Sequence, residues 1–293
     1  MNGFTLHYDK AVEVSKKAVG MLERKEPPFD REDVLPDAIL PLGIEPKSQE
    51  HALYLFYGCS LDSMRRAEDV YDFMRELAKK VDLKDLYAHS TESLTDLLQP
   101  LTAKTSNMGK LAKTLHYNAM RLFTGYENDP RNLNRGTIDA TLKEMTRKVG
   151  GKRALTQVGL GKASLLMKNF ARFGIWPFSE YEIPIKIDRH VMRISLGTGV
   201  VEARGVVRTD NVVKPLSDLF RQVTSNAHLS AIKLDDAYWG IGSKRCRLND
   251  HIHCREHCKL NCETRPKARK KTAYFTTTEM RKNVGQGSLF DFF

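Results

Sequence analysis

The chain has 293 residues, with 47 Lys and Arg against 36 Asp and Glu, which gives a formal net charge of +11. This length can bury a full-sized core in one large domain or two smaller ones, and the positive charge favours a polyanion such as nucleic acid over an acidic partner. No apolar run approaches the roughly 20 residues that span a bilayer, and the polar start Met1–His7 does not resemble a secretory signal. We therefore expect a cytoplasmic, monomeric protein without membrane contact.

Helical periodicity dominates the chain after an N-terminal extension and connector over residues 1–47. The prolines and acids of Pro27–Pro46 indicate an extended segment there. Gly125–Arg135 is typical of a loop, and no stretch alternates as a strand does. Apolar residues recur at three- and four-residue steps in segments that we predict to be helices: Ser48–Cys59, Ser63–Val81, Leu111–Phe123, Ile138–Val149, Ser164–Phe173, His190–Leu196, Val213–Val223 and Leu234–Ile241. The pattern predicts an all-α protein.

A glycine turn, Gly159-Leu160-Gly161-Lys162, separates two of these predicted helices. Glycines let backbone N–H groups approach a ligand closely, and the next helix directs its positive N-terminal end at the same spot, which suits a phosphate. A helix-hairpin-helix element holds DNA in this way without reading a base. A Gly-x-Gly segment can also simply end one helix and start the next.

Asp188 stands at the entrance to the predicted helix that contains His190–Leu196. Aspartate is a favoured N-cap, so this residue can serve the helix alone. A buried carboxylate can also stabilise the positive charge that develops on deoxyribose when an N-glycosidic bond breaks, while activating a nucleophile. The residue is therefore a candidate catalytic acid as well as a cap.

The glycine turn followed by Asp188-Arg189-His190-Val191 resembles the helix-hairpin-helix DNA glycosylases of the endonuclease III superfamily. Ile183–Asp188 and Leu234–Trp239 look more specifically like archaeal 8-oxoguanine glycosylases. The resemblance covers roughly Gln49–Cys262.

The resemblance implies an all-α, two-lobed fold that flips a damaged base out of duplex DNA into a cleft between its lobes. Asp188 would be the catalytic residue, and Gly159, Gly161 and Lys162 would bind DNA. A helical-barrel lobe would span about 65–175, a second lobe would combine 48–64 with 176–265, and 266–293 would be a flexible basic tail. Base-pocket candidates are Trp176, Trp239 and the helix Ser48–Cys59, although core packing is favoured for each.

The nucleophile separates two modes of action in such enzymes. Some members carry a lysine two positions after the second glycine of the turn, where its amine forms a Schiff base with the sugar and leads to strand cleavage. Here that position is Ala163, which implies water as the nucleophile and base removal alone. Lys162 is the alternative amine, although we favour a phosphate contact for it. For Lys168 we expect a solvated surface charge.

Four of the five cysteines crowd into one short segment: Cys246, Cys254, Cys258 and Cys262. In a cytoplasmic protein such crowding favours a metal or cluster over disulfides, and four thiolates suit a [4Fe-4S] cluster or zinc. The single tight segment resembles the C-terminal iron-sulfur loop of endonuclease III relatives. Zinc is the alternative, with His251, His253 and His257 as substitute ligands. Cys59 stands apart and is expected to be a buried apolar residue.

The chain ends with four large apolar residues on a polar tail, within Gln286–Phe293. In one helical turn Leu289, Phe292 and Phe293 would share a face that fits a hydrophobic groove, with Gln286 at its near end. The segment resembles the sliding-clamp-binding peptide of archaeal and eukaryotic replication proteins, and also its bacterial counterpart. Folding back onto the helical body is the alternative.

These predictions together describe a nucleoid-associated base-excision-repair glycosylase that hydrolyses an N-glycosidic bond and is tethered to the sliding clamp. The alternatives are a bifunctional glycosylase and lyase that uses Lys162, or a non-catalytic DNA-binding adaptor. The damaged base stays open, because one resemblance favours 8-oxoguanine and the iron-sulfur loop favours oxidised pyrimidines or mismatches.

Overall fold

The computed structural model describes residues 3–30, 35–41, 43–62, 67–99, 108–203, 206–245, 259–260 and 274–276. α-Helices dominate these residues, which confirms the all-α class. The chain forms two compact units, a terminal unit of Met1–Val34 with Pro184–Phe293 and a central unit of Leu35–Ile183. No described helix has the length and apolar character needed to cross a membrane.

The elements follow one another in chain order with short connections. The helices are α1 (Tyr8–Glu23), α2 (Gln49–Leu61), α3 (Ala67–Lys80), α4 (Thr91–Leu98), α5 (Met108–Tyr126), α6 (Ile138–Thr146), α7 (Leu160–Arg172), α8 (Arg189–Gly197), α9 (Thr209–Asn226) and α10 (Ala231–Gly240). The strands are β1 (Phe4–Leu6), β2 (Lys148–Val149), β3 (Lys152–Arg153), β4 (Val201–Ala203), β5 (Val206–Arg208) and β6 (Tyr274–Thr276). Short 3-10 helices cover Pro36–Ala38, Leu83–Ala88 and Pro130–Leu133, and a π-helical turn covers Ile241–Arg245.

The buried core of the central unit is built around α2. Its residues from His51 to Leu61 are all buried, because the helix has no polar face, and the free thiol of Cys59 is buried with them as expected. Ser48 caps the helix by accepting a hydrogen bond from the His51 N–H at 3.1 Å. α2 packs against α3, α5 and α7. Residues 49–61 therefore belong with the central helices, whereas the resemblance implied that they belong to the other lobe.

The terminal unit begins with a helix that the sequence analysis treated as an extension. Ala11, Val14 and Ala18 of α1 are fully buried, and α1 packs against α9 and α10. The hydroxyls of Ser15 and Tyr238 lie 3.4 Å apart across the α1–α10 contact. The residues of α1, which the sequence analysis assigned to an N-terminal extension, therefore contribute to the core of the terminal unit.

The predicted helix Ile138–Val149 ends early, at Thr146. Lys148–Val149 and Lys152–Arg153 form an antiparallel pair, with Lys148 opposite Arg153 and Val149 opposite Lys152. Gly150 and Gly151 connect the two strands with φ values of 57° and 77°, the left-handed backbone that a two-residue hairpin turn requires. We call Arg147–Arg153 the basic hairpin. Because of the basic hairpin, the segment that connects α6 to α7 is much longer than the short turn of a helix–turn–helix motif.

Candidate functional site

The glycine turn forms the N-terminal end of α7 in the central unit. Gly159 is the N-cap residue, with φ −103° and ψ −176°, and Leu160, Gly161 and Lys162 begin the helix. The Ala163 N–H donates to the Gly159 carbonyl at 2.9 Å. The N–H groups of Leu160, Gly161 and Lys162 come before this first hydrogen bond within the helix. Gly159 offers no side-chain cap, and the first turn carries no acid. This helix end can therefore hold an anion by its amides and its dipole.

Gly159 lies against a neighbouring side chain, and its own backbone angles do not require a glycine. A Cβ at this position would lie 2.9 Å from Nη1 of Arg153. That same Nη1 donates a hydrogen bond to the Val158 carbonyl at 2.9 Å, so the guanidinium is held against the turn. Just before the turn, Gln157 adopts left-handed backbone, with φ 64°. The basic hairpin is thus joined to the start of α7.

Lys162 is half-buried, and its Nζ donates to the Ser60 carbonyl at 2.6 Å, near the C-terminal end of α2. Its ammonium has the partial negative charge of that helix end as a neighbour. Ala163 is fully buried. The position at which some glycosylases carry the Schiff-base lysine therefore faces the core of the central unit.

Lys168 is buried, and the expectation of a solvated surface charge was wrong. Its Nζ lies 2.9 Å from Oδ2 of Asp37, and Nη1 of Arg172 lies 3.6 Å from Oδ1 of the same carboxylate. Burial acts to raise the pKa of Asp37, but the charges of Lys168 and Arg172 outweigh it and hold that pKa well below its usual range. The short helix Pro36–Ala38, which the sequence suggested was extended, brings this carboxylate to α7.

Asp188 occupies the N-cap position of α8 in the terminal unit. Its Oδ1 accepts hydrogen bonds from the N–H groups of His190 at 2.7 Å and Val191 at 3.1 Å. Its Oδ2 lies 4.0 Å from Nζ of Lys186, and 20% of the side chain is exposed. The carboxylate is therefore oriented by the helix it caps and remains open to a ligand on one side.

Two contacts fix the segment around Asp188. The Lys186 N–H donates to Oδ1 of the buried Asp235 at 2.8 Å, which joins the segment before α8 to α10. A Cβ at Gly242 would lie 2.6 Å from Cβ of His190, so α8 and the π-helical turn are in close contact there. Burial lowers the pKa of His190, although the charge of Asp188 opposes this. The imidazole beside Asp188 is therefore harder to protonate than an exposed histidine.

Asp235 holds the backbone two residues before Asp188, and the sequence analysis gave it no role. It lies in the segment Leu234–Trp239 that carried part of the resemblance, and the signal was a pair of adjacent acids, Asp235 and Asp236, between apolar residues. Trp176, a candidate for a base pocket, is instead a core residue whose Nε1 donates to the Arg131 carbonyl at 3.1 Å. The helix that contains Ser48–Cys59 is likewise core. Trp239 is half-buried.

The candidate site residues fall into two groups. Gly159, Gly161 and Lys162 lie in the central unit, and Asp188 lies in the terminal unit. The remaining candidates lie outside the described residues: Cys246, Cys254, Cys258, Cys262, Gln286, Leu289, Phe292 and Phe293. Within the ranges that the structure describes, no three His, Cys, Asp or Glu side chains are grouped to hold a metal ion.

Comparison with known protein families and with curated proteins gives no match for this chain.

Proposed function

We propose that this chain is a DNA glycosylase that flips a damaged or mismatched base from duplex DNA and hydrolyses its N-glycosidic bond. The observation that carries the proposal is the carboxylate of Asp188, whose Oδ1 is held by the amides of His190 and Val191 while the side chain stays partly exposed. The resemblance assigns the catalytic carboxylate to this same residue.

The chemistry follows from that geometry. As the bond between C1′ and the base nitrogen breaks, its electron pair leaves with the base and positive charge develops on the deoxyribose. The carboxylate of Asp188 would stabilise this charge and accept a proton from the water that attacks C1′. Burial lowers the pKa of His190, which disfavours a second cation beside the positive charge on the sugar.

DNA would be held by the amides at the start of α7. The uncapped first turn of Leu160, Gly161 and Lys162 suits one phosphate oxygen, and the net charge of +11 favours a polyanion. Contacts of this kind position the duplex and carry no information on sequence. The choice of lesion then depends on the pocket that receives the flipped base.

Two observations favour hydrolysis over lyase chemistry. Ala163 has no amine and faces the core, and Nζ of Lys162 donates to the Ser60 carbonyl at 2.6 Å. A Schiff base would require Lys162 to leave that carbonyl. Trapping with borohydride on damaged or abasic duplex tests this, since an adduct that Lys162→Gln abolishes would favour the bifunctional alternative.

The proposal includes a [4Fe-4S] cluster and a clamp tether. Four thiolates, from Cys246, Cys254, Cys258 and Cys262, are a donor set that suits the cluster, which would shape a DNA-binding surface and take no part in bond cleavage. An absorbance band in the visible region separates this cluster from zinc. The segment Gln286–Phe293 would bind the hydrophobic groove of a sliding clamp, and deletion of it would abolish that binding.

Excision is tested with duplexes that each carry one lesion: 8-oxoguanine, an oxidised pyrimidine or a mismatch. The purified chain should release one of these bases, and Asp188→Asn should abolish release. Asparagine also caps helices, so this variant keeps the start of α8. Asp82→Asn is the matched control, because Asp82 is an exposed N-cap whose Oδ1 accepts the Lys84 N–H at 2.9 Å.

The proposal fails if the wild-type protein releases none of these bases, or if Asp188→Asn releases them as fast as Asp82→Asn does. Binding to duplex DNA without any release would then support the adaptor.

A further inference from the structure

The basic hairpin is the most exposed regular element near the glycine turn. All seven residues from Arg147 to Arg153 are exposed, and a Cβ added at Gly150 or Gly151 would meet no atom within 4 Å. Val149 keeps 56% of its surface exposed. The hairpin therefore projects its tip away from the central unit.

The charges of the hairpin are all positive. It carries Arg147, Lys148, Lys152 and Arg153 and no acid. Arg147 lies 3.3 Å from Oε1 of Glu144, at the end of α6. Lys148 and Lys152 have no ion-pair partner within the described part of the chain. The two lysines thus remain available to an external anion.

The register of the two strands places like charges side by side. Lys148 lies directly opposite Arg153, and residues opposite each other in an antiparallel pair project from the same face with Cβ atoms roughly 5 Å apart. Like charges in this position destabilise a hairpin in water. An anion between them would remove that repulsion, and a phosphodiester group has the required charge.

The hairpin also adjoins the anion-binding end of α7. Nη1 of Arg153 donates to the Val158 carbonyl at 2.9 Å and lies against Gly159, the N-cap of that helix. Phosphates of one strand are spaced regularly along its backbone, so a strand bound at the start of α7 would continue past the hairpin. The two positive features belong to one surface of the central unit.

We propose that the basic hairpin is a second contact with the sugar-phosphate backbone of duplex DNA, through Lys148 and Lys152 with support from Arg153. The proposal rests on the proposed function for its choice of polyanion. Because phosphate contacts are independent of sequence, the hairpin would increase affinity for any duplex and leave the choice of lesion unchanged.

The test is the salt dependence of binding to an undamaged duplex, measured by fluorescence anisotropy with the full chain. Each phosphate contact contributes about 0.9 to the slope of log K against log salt concentration. The double variant Lys148→Gln/Lys152→Gln should therefore show a slope about 1.8 less steep than the wild type. The control is Lys79→Gln/Lys80→Gln, which removes the same charge from exposed lysines at the end of α3.

An unchanged slope in the hairpin variant, or an equal change in the α3 control, would overturn the proposal, as would binding of wild type to anionic vesicles but not to duplex DNA. Thermal unfolding by circular dichroism confirms that the variants fold. Failure of the proposed function is a separate result, because wild type could bind undamaged duplex through the hairpin and release no base.

Discussion

Nζ of Lys168 lies 2.9 Å from Oδ2 of Asp37, and both side chains are buried within the central unit. The pair joins α7 to the segment before α2, and Arg172 lies 3.6 Å from the other oxygen of the carboxylate. Two cations therefore lie beside one anion in a region of low dielectric. The carboxylate is the group that contacts both of the other two charges.

Asp37→Asn should therefore destabilise the protein more than Lys168→Met. Removing one member of a buried ion pair costs about 3 to 5 kcal/mol, because the remaining charge loses both water and its partner. Asp37→Asn removes the anion that both cations contact, whereas Lys168→Met removes one cation and leaves Asp37 with Arg172. Urea denaturation of both variants measures the difference. Equal losses, or a larger loss in Lys168→Met, would contradict this account.

The same carboxylate should make stability depend on acid pH. Its folded-state pKa is lowered from the ordinary value of 3.8, so the unfolded chain binds the proton more readily. The contribution of Asp37 is thus fully present above the ordinary pKa and is lost as the pH falls through the lowered folded-state pKa. The difference in unfolding free energy between wild type and Asp37→Asn should shrink as the pH falls below about 4. A constant difference would show that Asp37 is not the titrating group.

Asp188→Ala should lower stability, and Asp188→Asn should lower it much less. Alanine removes the acceptor of the His190 and Val191 amides, and loss of an N-cap costs about 1 kcal/mol. Asparagine retains an oxygen at the same place. Thermal unfolding compares the two variants. If the two variants unfold at the same temperature, the cap hydrogen bonds make no measurable contribution to stability. A loss of excision in Asp188→Asn would then still be explained by the missing charge of the carboxylate.

Gly242→Ala should disturb the segment around Asp188 from a distance. The new Cβ would lie 2.6 Å from Cβ and 3.2 Å from Cα of His190. Backbone at this contact must move, at a cost of about 1 to 3 kcal/mol, and His190 lies two residues after Asp188. We expect lower stability together with slower excision. Gly109→Ala is the control, since a Cβ there meets no atom within 4 Å.

Gly159→Asp should weaken DNA binding without unfolding α7. Aspartate is a strong N-cap and would accept the amides that a phosphate would otherwise use, while its charge repels the DNA backbone. The flexible guanidinium of Arg153 must shift to admit it. Duplex affinity should fall at constant or higher thermal stability. Ser90→Asp, at the N-cap of α4, introduces the same charge elsewhere and should leave affinity nearly unchanged.

Most helices of the described chain could be predicted from apolar spacing alone. α2, α5 and α7 were found within a few residues of their ends, because each buries a stripe or a whole surface that its own residues encode. α1 was missed, although its apolar spacing is regular. The helix from Ile138 was predicted to extend to Val149 and ends about one turn earlier, at Thr146, because Gly150 and Gly151 favour a hairpin that the three- to four-residue pattern does not register.

The candidate site divides in the same way. The N-cap position of Asp188 and the uncapped glycine start of α7 follow from local sequence, since a cap involves residues two or three positions apart. Three other contacts do not follow from local sequence: the burial of Lys168 against Asp37, the hydrogen bond from Lys186 to Asp235, and the contact of His190 with Gly242. Each joins residues that are distant along the chain.

The sequence by itself determined the helical class, the positive charge and the residue types at the glycine turn and at Asp188. Only the tertiary structure decided which of those residues are buried, which cations have a carboxylate partner, and that Arg153 is held against Gly159. The physical reason is that periodicity and capping depend on neighbours within a turn or two. Burial and ion pairing depend on which distant segments meet, and that is settled when the whole core packs.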